Sequence, residues 1–333
     1  MKFIEPSVEI IQQEPGIDGM MKMIELAGRT AYKSEDHITE DSAKKFVKML
    51  KQREHGAALE HGTCYLAIPK EVYGQICDDH HFTFLDCPYQ WFGFDYRSGI
   101  KGCDYVWLTT NYRVLVEHGR EELLNYMVTP TEDEFRWNGG SYQHFHRRVT
   151  VKFTCDRGVS HEFVRHRVFS FLQESTRYCN YSKEKFDGVT YIIPRWIHDI
   201  QEEEAKYVDS LTYVPRDHVM DMKGISLVMT LATMDRTVAD FVDVMDKCER
   251  AYINMTKLDD GTKLLPQQAR QVLPNALKTE LIMTGTIDQW EGFFKLRCAP
   301  SAHPDARYLA LQLQDQFIER GYIKDKIQER DKA

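Results

Sequence analysis

The stretch Ser160–Ser182 places three arginines and two histidines within 17 residues, interleaved with large apolar side chains. In an α-helix, positions 165 and 167 lie about 200° apart, so Arg165 and Arg167 cannot share one face of a continuous helix. The segment therefore predicts a helix end close to these two arginines, with the cations directed into two different sites. Because the formal net charge of the chain is −8, such a cluster indicates local anionic partners, for instance two phosphate-bearing ligands.

A solvated surface is the alternative interpretation of the same cluster. The arginines would then pair with Glu162, Glu174 and other acids as exposed ion pairs, which contribute only about 0–1 kcal/mol each. A solvated face would not carry so many large apolar residues, however. Four of them are interleaved here: Phe163, Val164, Phe169 and Phe171.

Composition and charge exclude several classes of protein. With 42% hydrophobic and 28% charged residues among 333, the chain is typical of a globular protein with a sizeable core. The net charge of −8 argues against a general nucleic-acid binder, which needs a broad basic face. An RNA-binding module that uses the arginine cluster remains an alternative, but no extended basic groove with a stacking platform is evident.

The location of the protein is inferred from what the sequence lacks. No apolar run approaches the roughly 20 residues of a membrane-spanning helix, and Met1–Pro15 does not resemble a signal peptide. The eight cysteines are spread along the chain without a C-x-x-C pair, which favours free thiols in a reducing compartment. We therefore expect a cytoplasmic protein without a membrane segment.

The first part of the chain predicts a helix, a turn and a strand. A helix is expected from Thr39, capped by that residue, with Ala43, Phe46, Val47 and Leu50 as its apolar face. A strand is expected over Thr63–Ile68. The segment His55–His61 between them is then a short turn, and turns of this kind often hold ligands.

Residues 71–148 differ in character, being rich in aromatic residues and glycine, and predict an inserted, partly β subdomain in an otherwise single domain over 1–333. A strand-like piece runs from Tyr105 to Val116. After the insertion, Arg148–Thr154 alternates like a strand, and Ser160 is placed to cap the helix that carries Phe163 and Val164.

The later half of the chain is mostly helical. A buried helix is predicted by apolar residues at spacings of three and four, namely Val238, Phe241, Met245, Cys248, Tyr252 and Met255. Pro266 starts a helix that must stop before Pro274, and Lys278–Thr284 alternates like a strand. Helices from about residue 286 to 297 and from 304 to 321 complete the pattern.

Arg297 lies on the apolar face of its predicted helix, because Trp290, Phe293, Phe294 and Arg297 occupy positions i, i+3, i+4 and i+7. A buried guanidinium without an anion is costly, so Arg297 should meet either a ligand or an internal carboxylate. The alternative is an arginine at a helix end whose head reaches solvent.

These residues carry a resemblance to a known family. Arg165-His166-Arg167, then seven residues, then Ser175, followed by Arg177-Tyr178, resembles the signature of the flavin-dependent thymidylate synthases of the ThyX type. The turn His55–His61 is similar to the family's H-x-x-x-x-E-H segment, and Arg270 and Arg297 match its later arginines. The resemblance covers roughly residues 17–69 and 150–320.

The resemblance implies a set of site residues. Arg297 is the implied catalytic residue, facing the pyrimidine ring and stabilising negative charge after loss of the N3 proton. The implied dUMP pocket comprises Glu162, Phe163, Val164, Arg165, Gln173, Glu174, Ser175, Thr176, Arg177, Arg270 and Arg297. The implied FAD site comprises His55, Ala57, Arg165, His166, Arg167, Gln173, Thr286 and Gly292.

The resemblance also implies an activity. It is the reductive methylation of dUMP to dTMP, with 5,10-methylenetetrahydrofolate as carbon donor, tightly bound FAD as hydride carrier and NADPH as reductant. The implied assembly is a homotetramer with shared sites, and no metal is implied. The implied fold is α+β with a mixed or antiparallel sheet and packed helices, and no G-x-G-x-x-G follows a predicted strand, which excludes a Rossmann motif.

The sequence departs from the family pattern at the start of the helix that carries Arg297. Many members have Asn-x-Arg there for FAD, whereas this chain has Thr286-Ile287-Asp288, and Gly292 replaces a larger polar residue. Thr286 could still bind through its hydroxyl or through the helix N-terminal amides. Asp288 would repel a phosphate.

Covalent and metal-dependent chemistry are the remaining alternatives. Ser175 lacks a G-x-S-x-G elbow and is interpreted as a hydroxyl that contacts substrate, and the neighbouring Cys179 as a buried or half-buried thiol. A metal-dependent hydrolase would use residues 78–81 (Asp-Asp-His-His) with the His144-x-His146 pair. No further ligand motif accompanies these residues.

Overall fold

The computed structural model describes residues 1–78, 82–93, 104–136, 143–186, 188–211, 220, 222–257 and 264–327. The strands are β1 (Lys2–Ile4), β2 (Ser7–Ile11), β3 (Thr63–Pro69), β4 (Trp91–Gly93), β5 (Tyr105–Asn111), β6 (Arg148–Asp156), β7 (Ser170–Gln173), β8 (Thr190–Ile192) and β9 (Lys278–Thr286). The helices of the first half are α1 (Gly16–Tyr32), α2 (Ser42–Gln52), α3 (Gly56–Leu59), α4 (Lys70–Asp78), α5 (Phe82–Leu85), α6 (Tyr112–Glu117) and α7 (Arg157–Phe163). Those of the second half are α8 (Arg195–Leu211), α9 (Gly224–Leu231), α10 (Arg236–Thr256), α11 (Pro266–Ala269), α12 (Ile287–Arg297) and α13 (Pro304–Glu319).

The central element is a four-stranded antiparallel sheet with the order β2-β6-β9-β7. Its two long strands, β6 and β9, pair over nine residues, and all of β9 up to Gly285 is buried. The sequence contains the cause: β9 alternates apolar residues, such as Leu281 and Met283, with polar ones, such as Glu280 and Thr284. Its two faces therefore have opposite chemistry although both are covered.

The apolar face of this sheet packs against α12 and α13. Trp290, Phe293 and Phe294 of α12 are fully buried with Phe317 of α13 and with the inward residues of β6 and β9. The Trp290 indole donates a hydrogen bond to the Val149 carbonyl at 3.1 Å. The spacing of apolar residues that predicted this helix thus identifies its core face correctly.

The polar face lies towards α1 and the turn after α2. There the buried imidazole of His61 is 2.8 Å from the Thr284 hydroxyl, which is 2.8 Å from the Thr150 hydroxyl. Near the other end of β9, Glu280 bonds to Lys278 and to Lys33, which follows α1. These polar groups are thus bonded to one another, while His61 Nε2 and Glu280 Oε2 have no hydrogen-bond partner among the described residues.

A second antiparallel sheet has the order β3-β5-β4. Two of its strands, β4 and β5, come from the segment predicted to be a partly β insertion. The predicted strand from Tyr105 to Val116 was wrong beyond Asn111, where helix α6 begins. The physical reason is a cap: the Asn111 side chain accepts a hydrogen bond from the Val114 amide at 3.2 Å.

A third region contains the parallel pair β1-β8 and the helices α8–α10. Helix α10 confirms the predicted buried stripe, since Val238, Met245 and Tyr252 are buried in one cluster with Phe3 and Tyr191.

Two predicted helix starts were wrong. Helix α2 begins at Ser42 and not at Thr39, because residues 39–41 form a turn closed by the Thr39 amide bonding to the Ser42 hydroxyl. Helix α7 begins at Arg157, because Asp156 and not Ser160 caps it, accepting from the Val159 amide at 2.8 Å.

The fold class expected from the sequence, α+β with antiparallel sheets and packed helices, is confirmed. Across the described ranges, whose largest gaps are 94–103 and 212–219, no helix is long and apolar enough to cross a bilayer.

Candidate active site

A cavity of about 310 Å³ opens between α1, α3 and the end of β7. Its lining is mostly small or aromatic. It consists of Gly28, Ala31, Tyr32, Leu50, Glu54, His55, Gly56, Ala57, Ala58, Leu172, Gln173, Ser175 and Tyr178. Four residues predicted from sequence, His55, Ala57, Gln173 and Ser175, thus meet in one cavity although they come from distant parts of the chain.

Aromatic rings form one wall of this cavity. Tyr32 packs against the imidazole of His55, with ring centroids 6.2 Å apart and planes 25° from parallel, and against Tyr178 at 5.1 Å. The Tyr32 hydroxyl lies 2.7 Å from His55 Nδ1. A wall of this kind suits a planar conjugated ring, because aromatic pairs gain from offset stacking and from edge-to-face contact.

Gln173 is fixed at the end of β7 by its side-chain amide. Its Nε2 donates to the Ser160 hydroxyl at 2.9 Å and to the Thr279 hydroxyl at 3.0 Å. Since Ser160 belongs to α7 and Thr279 to β9, the bonds tie the cavity wall to the central sheet.

The loop after β7 carries polar residues along the rim. The Ser175 amide donates to the Ala31 carbonyl at 3.0 Å, which anchors the loop to α1. Arg270 donates to the Thr176 hydroxyl at 3.0 Å. Arg177 and Arg270 are both exposed, so two guanidinium groups stand where an anion could approach from solvent.

Glu174 of the same loop points inward and not to the rim. It is 3% exposed and accepts from the Tyr181 hydroxyl at 2.8 Å and from Lys278 Nζ at 3.0 Å. The side chain therefore anchors the loop in the interior, where both of its oxygens already have donors.

Arg297 meets an internal carboxylate. Its guanidinium donates to Glu162 Oε2 at 2.8 Å, to the Glu162 carbonyl and to His166 Nε2 at 2.9 Å. The side chain is 15% exposed. A buried guanidinium needs either a ligand or an internal carboxylate as its partner. Here the chain itself supplies the carboxylate, that of Glu162.

The Arg297 cluster fixes the protonation of two of its members. Burial and the adjacent Arg297 lower the pKa of His166 to about 4, so the ring is neutral at neutral pH and accepts at Nε2. The hydrogen bond from Arg297 and its charge lower the pKa of the Glu162 carboxyl. The cluster thus presents a cation and an anion in contact.

Arg165 and Arg167 lie beyond the end of α7, as the spacing argument predicted, since the helix ends at Phe163. Both side chains are exposed, as is Val164, while Phe163 is fully buried against Phe153 and Phe293. Neither arginine lines the cavity around His55. The exposed pair and the Arg297 cluster therefore form a second group, next to α7.

Thr286, the last residue of β9 and the N-cap of α12, and Gly292 of α12 do not line this cavity. Thr286 caps the helix reciprocally with Gln289, whose side-chain oxygen accepts from the Thr286 amide at 2.8 Å. Gly292 is exposed, and a β-carbon there would meet nothing within 4 Å. The hydroxyl suggested as a flavin contact is thus already engaged in the cap.

Sequence reasoning missed two contributors to the site. Tyr32 lies on the cavity side of α1, and the signal was available, since Gly28, Ala31 and Tyr32 are spaced i, i+3, i+4. Arg113 of α6 bonds to Glu60 at 2.5 Å and lies so close to Gly56 that a β-carbon there would be 2.9 Å from its Nε. Only the fold reveals that α6, from the segment predicted to be an insertion, braces the His55–His61 turn.

The two histidines considered as metal ligands, His144 and His146, pack against tryptophan rings. His144 stacks on Trp107 with ring centroids 3.9 Å apart, and His146 packs against Trp91 in a tilted arrangement with centroids 4.0 Å apart. Asp79, His80 and His81 lie outside the described residues. Within the described part of the chain, no three His, Cys, Asp or Glu residues are grouped so that they could hold a metal ion.

The family model described as "Thymidylate synthase complementing protein" matches residues 141–320, which is more than half of the 333 residues. The chain belongs to this family. The resemblance inferred from Arg165-His166-Arg167 and Ser175 is thereby confirmed, and the matched range contains the Arg297 cluster, the loop after β7 and β9.

Several curated proteins that are similar to this chain are named flavin-dependent thymidylate synthase. The protein from Mycobacteroides abscessus is 26% identical over 50% of this chain and 56% of its own length. The protein from Clostridium tetani is 26% identical over 52% of this chain and 61% of its own length. The chain thus spans little more than half the length of these relatives.

A solved structure is similar at lower identity. The UMP/dUMP methylase PolB from Streptomyces cacaoi, bound with 5-Br dUMP, aligns over 96% of this chain and 93% of its own, with 14% identity and a TM-score of 0.39.

Arg113→Met tests the brace on the His55–His61 turn. The substitution removes the bonds to Glu60 and Glu117, and we expect a loss of about 1 kcal/mol in the free energy of unfolding, since the pair is partly exposed. Hydrogen–deuterium exchange should become faster in residues 55–61. Arg250→Met, which removes an exposed pair with Asp246, serves as control, and equal exchange in both variants would contradict the brace.

His166→Gln tests the Arg297 cluster through pH. The unfolded histidine has a pKa near 6.5 and the folded one about 4, so the unfolded state binds more protons between these values and stability falls as the pH drops through them. Glutamine can still accept from Arg297 but does not titrate. We expect a shallower loss of stability between pH 6.5 and 4.5 in urea unfolding, whereas the exposed control His37→Gln should follow the wild type.

Proposed function

We propose that the chain is a flavin-dependent thymidylate synthase, a methyltransferase that converts dUMP to dTMP with 5,10-methylenetetrahydrofolate as carbon donor, FAD as hydride carrier and NADPH as reductant. The observation that carries the proposal is the meeting of His55, Ala57, Gln173 and Ser175 in one ring-lined cavity. Family membership and the names of the relatives support it.

The residues of the cavity and those of the separate group next to α7 together fit a flavin in kind. The aromatic wall of Tyr32, His55 and Tyr178 suits a flat ring system, and the exposed Arg165 and Arg167 suit a diphosphate. We propose that these residues, with His166 and Gln173, hold FAD. When bound, the flavin supplies the hydride, and the protein supplies binding, orientation and electrostatics.

The dUMP phosphate is assigned to the rim of the cavity. Arg177 and Arg270 are exposed there beside the Ser175 hydroxyl, and the buried Thr176 accepts a hydrogen bond from Arg270. A planar guanidinium binds phosphate oxygens with two parallel charge-assisted hydrogen bonds. The substrate anion would thus be held by groups that have few competing partners within the folded chain.

Arg297 is assigned to the pyrimidine. Held by Glu162 and His166 at 2.8–2.9 Å, its guanidinium is already oriented before substrate arrives, so little side-chain entropy is lost on binding. At about 4 Å and an effective dielectric near 20, a cation stabilises a developing anion by on the order of 4 kcal/mol before desolvation. This would favour loss of the N3 proton and make C5 more nucleophilic.

The two groups of residues favour a site completed by assembly. The cavity around His55 and the Arg297 cluster are separate within one chain, and Arg165, Arg167, Arg177 and Arg270 all face outward. A homotetramer in which one subunit's cluster faces another's cavity would bring them together. Size-exclusion chromatography with light scattering measures the assembly directly.

The affinity for dUMP tests the proposed phosphate site at the rim of the cavity. In protein reconstituted with FAD, which we expect to be yellow, Arg270→Met and Arg177→Met should each weaken dUMP binding about 10- to 100-fold, since a charge-assisted hydrogen bond is worth about 1.5–3 kcal/mol. Calorimetric titration with dUMP and with deoxyuridine separates the phosphate contribution. Arg250→Met should bind like the wild type. Equal affinity for dUMP and deoxyuridine in the wild type would refute the assignment.

The rate of dTMP formation tests the proposed role of Arg297. Arg297→Ala should keep the flavin absorbance yet lose dTMP formation by at least about 100-fold, because a loss of on the order of 4 kcal/mol corresponds to about three powers of ten. The assay follows NADPH oxidation and dTMP formation with methylenetetrahydrofolate, and circular dichroism checks the fold. Normal turnover in this variant would remove Arg297 from its role.

A further inference from the structure

Tyr32 and His55 are joined by a hydrogen bond in the cavity wall. Tyr32, the last residue of α1, places its hydroxyl 2.7 Å from Nδ1 of His55. The rings of Tyr32 and His55 are nearly parallel. Tyr178 packs against the Tyr32 ring, with the ring centroids 5.1 Å apart. The phenol is therefore held on the histidine by packing as well as by the bond.

The direction of this hydrogen bond follows from the groups around it. Burial and the neighbouring Tyr178 raise the pKa of Tyr32, so the phenol keeps its proton. When the phenol donates to Nδ1, the neutral imidazole must carry its own proton on Nε2, because one ring nitrogen accepts and the other donates. The opposite direction would leave the phenol proton without the acceptor that lies 2.7 Å away.

We propose that Tyr32 is a positioning residue that holds His55 as the Nε2–H tautomer, so that the histidine offers a hydrogen-bond donor to the ligand of this cavity. The inference rests on the proposed function for the class of ligand, a flat heteroaromatic ring with carbonyl oxygens or ring nitrogens as acceptors. Tyr32 itself does not react. It acts through His55, as second partners of histidines do when they select a tautomer.

The geometry distinguishes this role from simple packing. Ala31 and Tyr32 end α1, and the Ala31 carbonyl accepts the Ser175 amide at 3.0 Å. One end of one helix thus fixes both the loop with Ser175 and the ring of His55. A displacement of Tyr32 would disturb both the Ser175 loop and His55. Removal of its hydroxyl alone would affect only the hydrogen bond to His55.

The test uses the full chain labelled with ¹⁵N-histidine and the variant Tyr32→Phe, which keeps the ring and removes the hydroxyl. Two-bond ¹H–¹⁵N correlation spectra, recorded well above the ordinary histidine pKa of about 6.5, report which ring nitrogen is protonated, and His55→Gln assigns the signal. We expect a single Nε2–H tautomer for His55 in the wild type and in the control Tyr178→Phe. In Tyr32→Phe we expect a mixture of both tautomers.

Turnover gives the functional consequence. In Tyr32→Phe, kcat for dTMP formation should fall about tenfold while KM for dUMP changes less than twofold, because the rim that holds the phosphate is untouched. A wild-type His55 protonated on Nδ1, or an unchanged tautomer in Tyr32→Phe, overturns the inference. Absence of dTMP formation by the wild type would instead refute the proposed function, and the spectra would still decide the tautomer.

Discussion

The architecture depends on a largely buried network of charged side chains that includes Lys33, Glu174, Lys278 and Glu280. Lys278 bonds to Glu174 at 3.0 Å and to Glu280 at 2.8 Å, and Lys33 bonds to Glu280 at 2.9 Å. Burial alone would raise the pKa of Glu280, but Lys278 and Lys33 lower it to about 2. Glu280 therefore remains charged in the interior, where a charge persists only when it is paired.

This network connects the elements from which the cavity is built. Lys33 follows α1 in a left-handed conformation, with φ at 50°, while Glu174 begins the loop after β7 and Lys278 and Glu280 belong to β9. Removal of one partner of a buried pair costs about 3–5 kcal/mol, because the other charge is left uncompensated. The loop with Ser175 and Arg177 is consequently connected to the end of α1 through ion pairs as well as through the bond of the Ser175 amide to the Ala31 carbonyl.

Much of the fold could be predicted from local sequence patterns, and the failures have physical causes. The alternation of β9 and the stripe on α10 identified elements that the core then uses, because their periods reflect which face is buried. The strand assigned through Val116 failed because Asn111 bonds to a backbone amide and starts a helix. Ser160 failed as a cap because Asp156, four residues earlier, competes for the same role with a carboxylate.

The site was predictable in part for a different reason. Helix geometry alone predicted a helix end close to Arg165 and Arg167, and the cost of burying a guanidinium required a partner for Arg297. Which partner it would be depends on tertiary structure, since Glu162 lies 135 positions away along the chain. The wall formed by Tyr32 and His55 depends in the same way on the packing of α1 beside α3, which no local pattern encodes.

The distribution of charge links these observations to the proposed assembly. The chain is acidic overall, with a net charge of −8. Four arginines are nevertheless exposed near the His55 cavity or the Arg297 cluster: Arg165, Arg167, Arg177 and Arg270. Repulsion among these cations would oppose the contact of two bare subunits, whereas bound phosphate groups would neutralise them and favour it. In the proposed tetramer, ligand binding and subunit contact would therefore be thermodynamically coupled, because each lowers the electrostatic cost of the other.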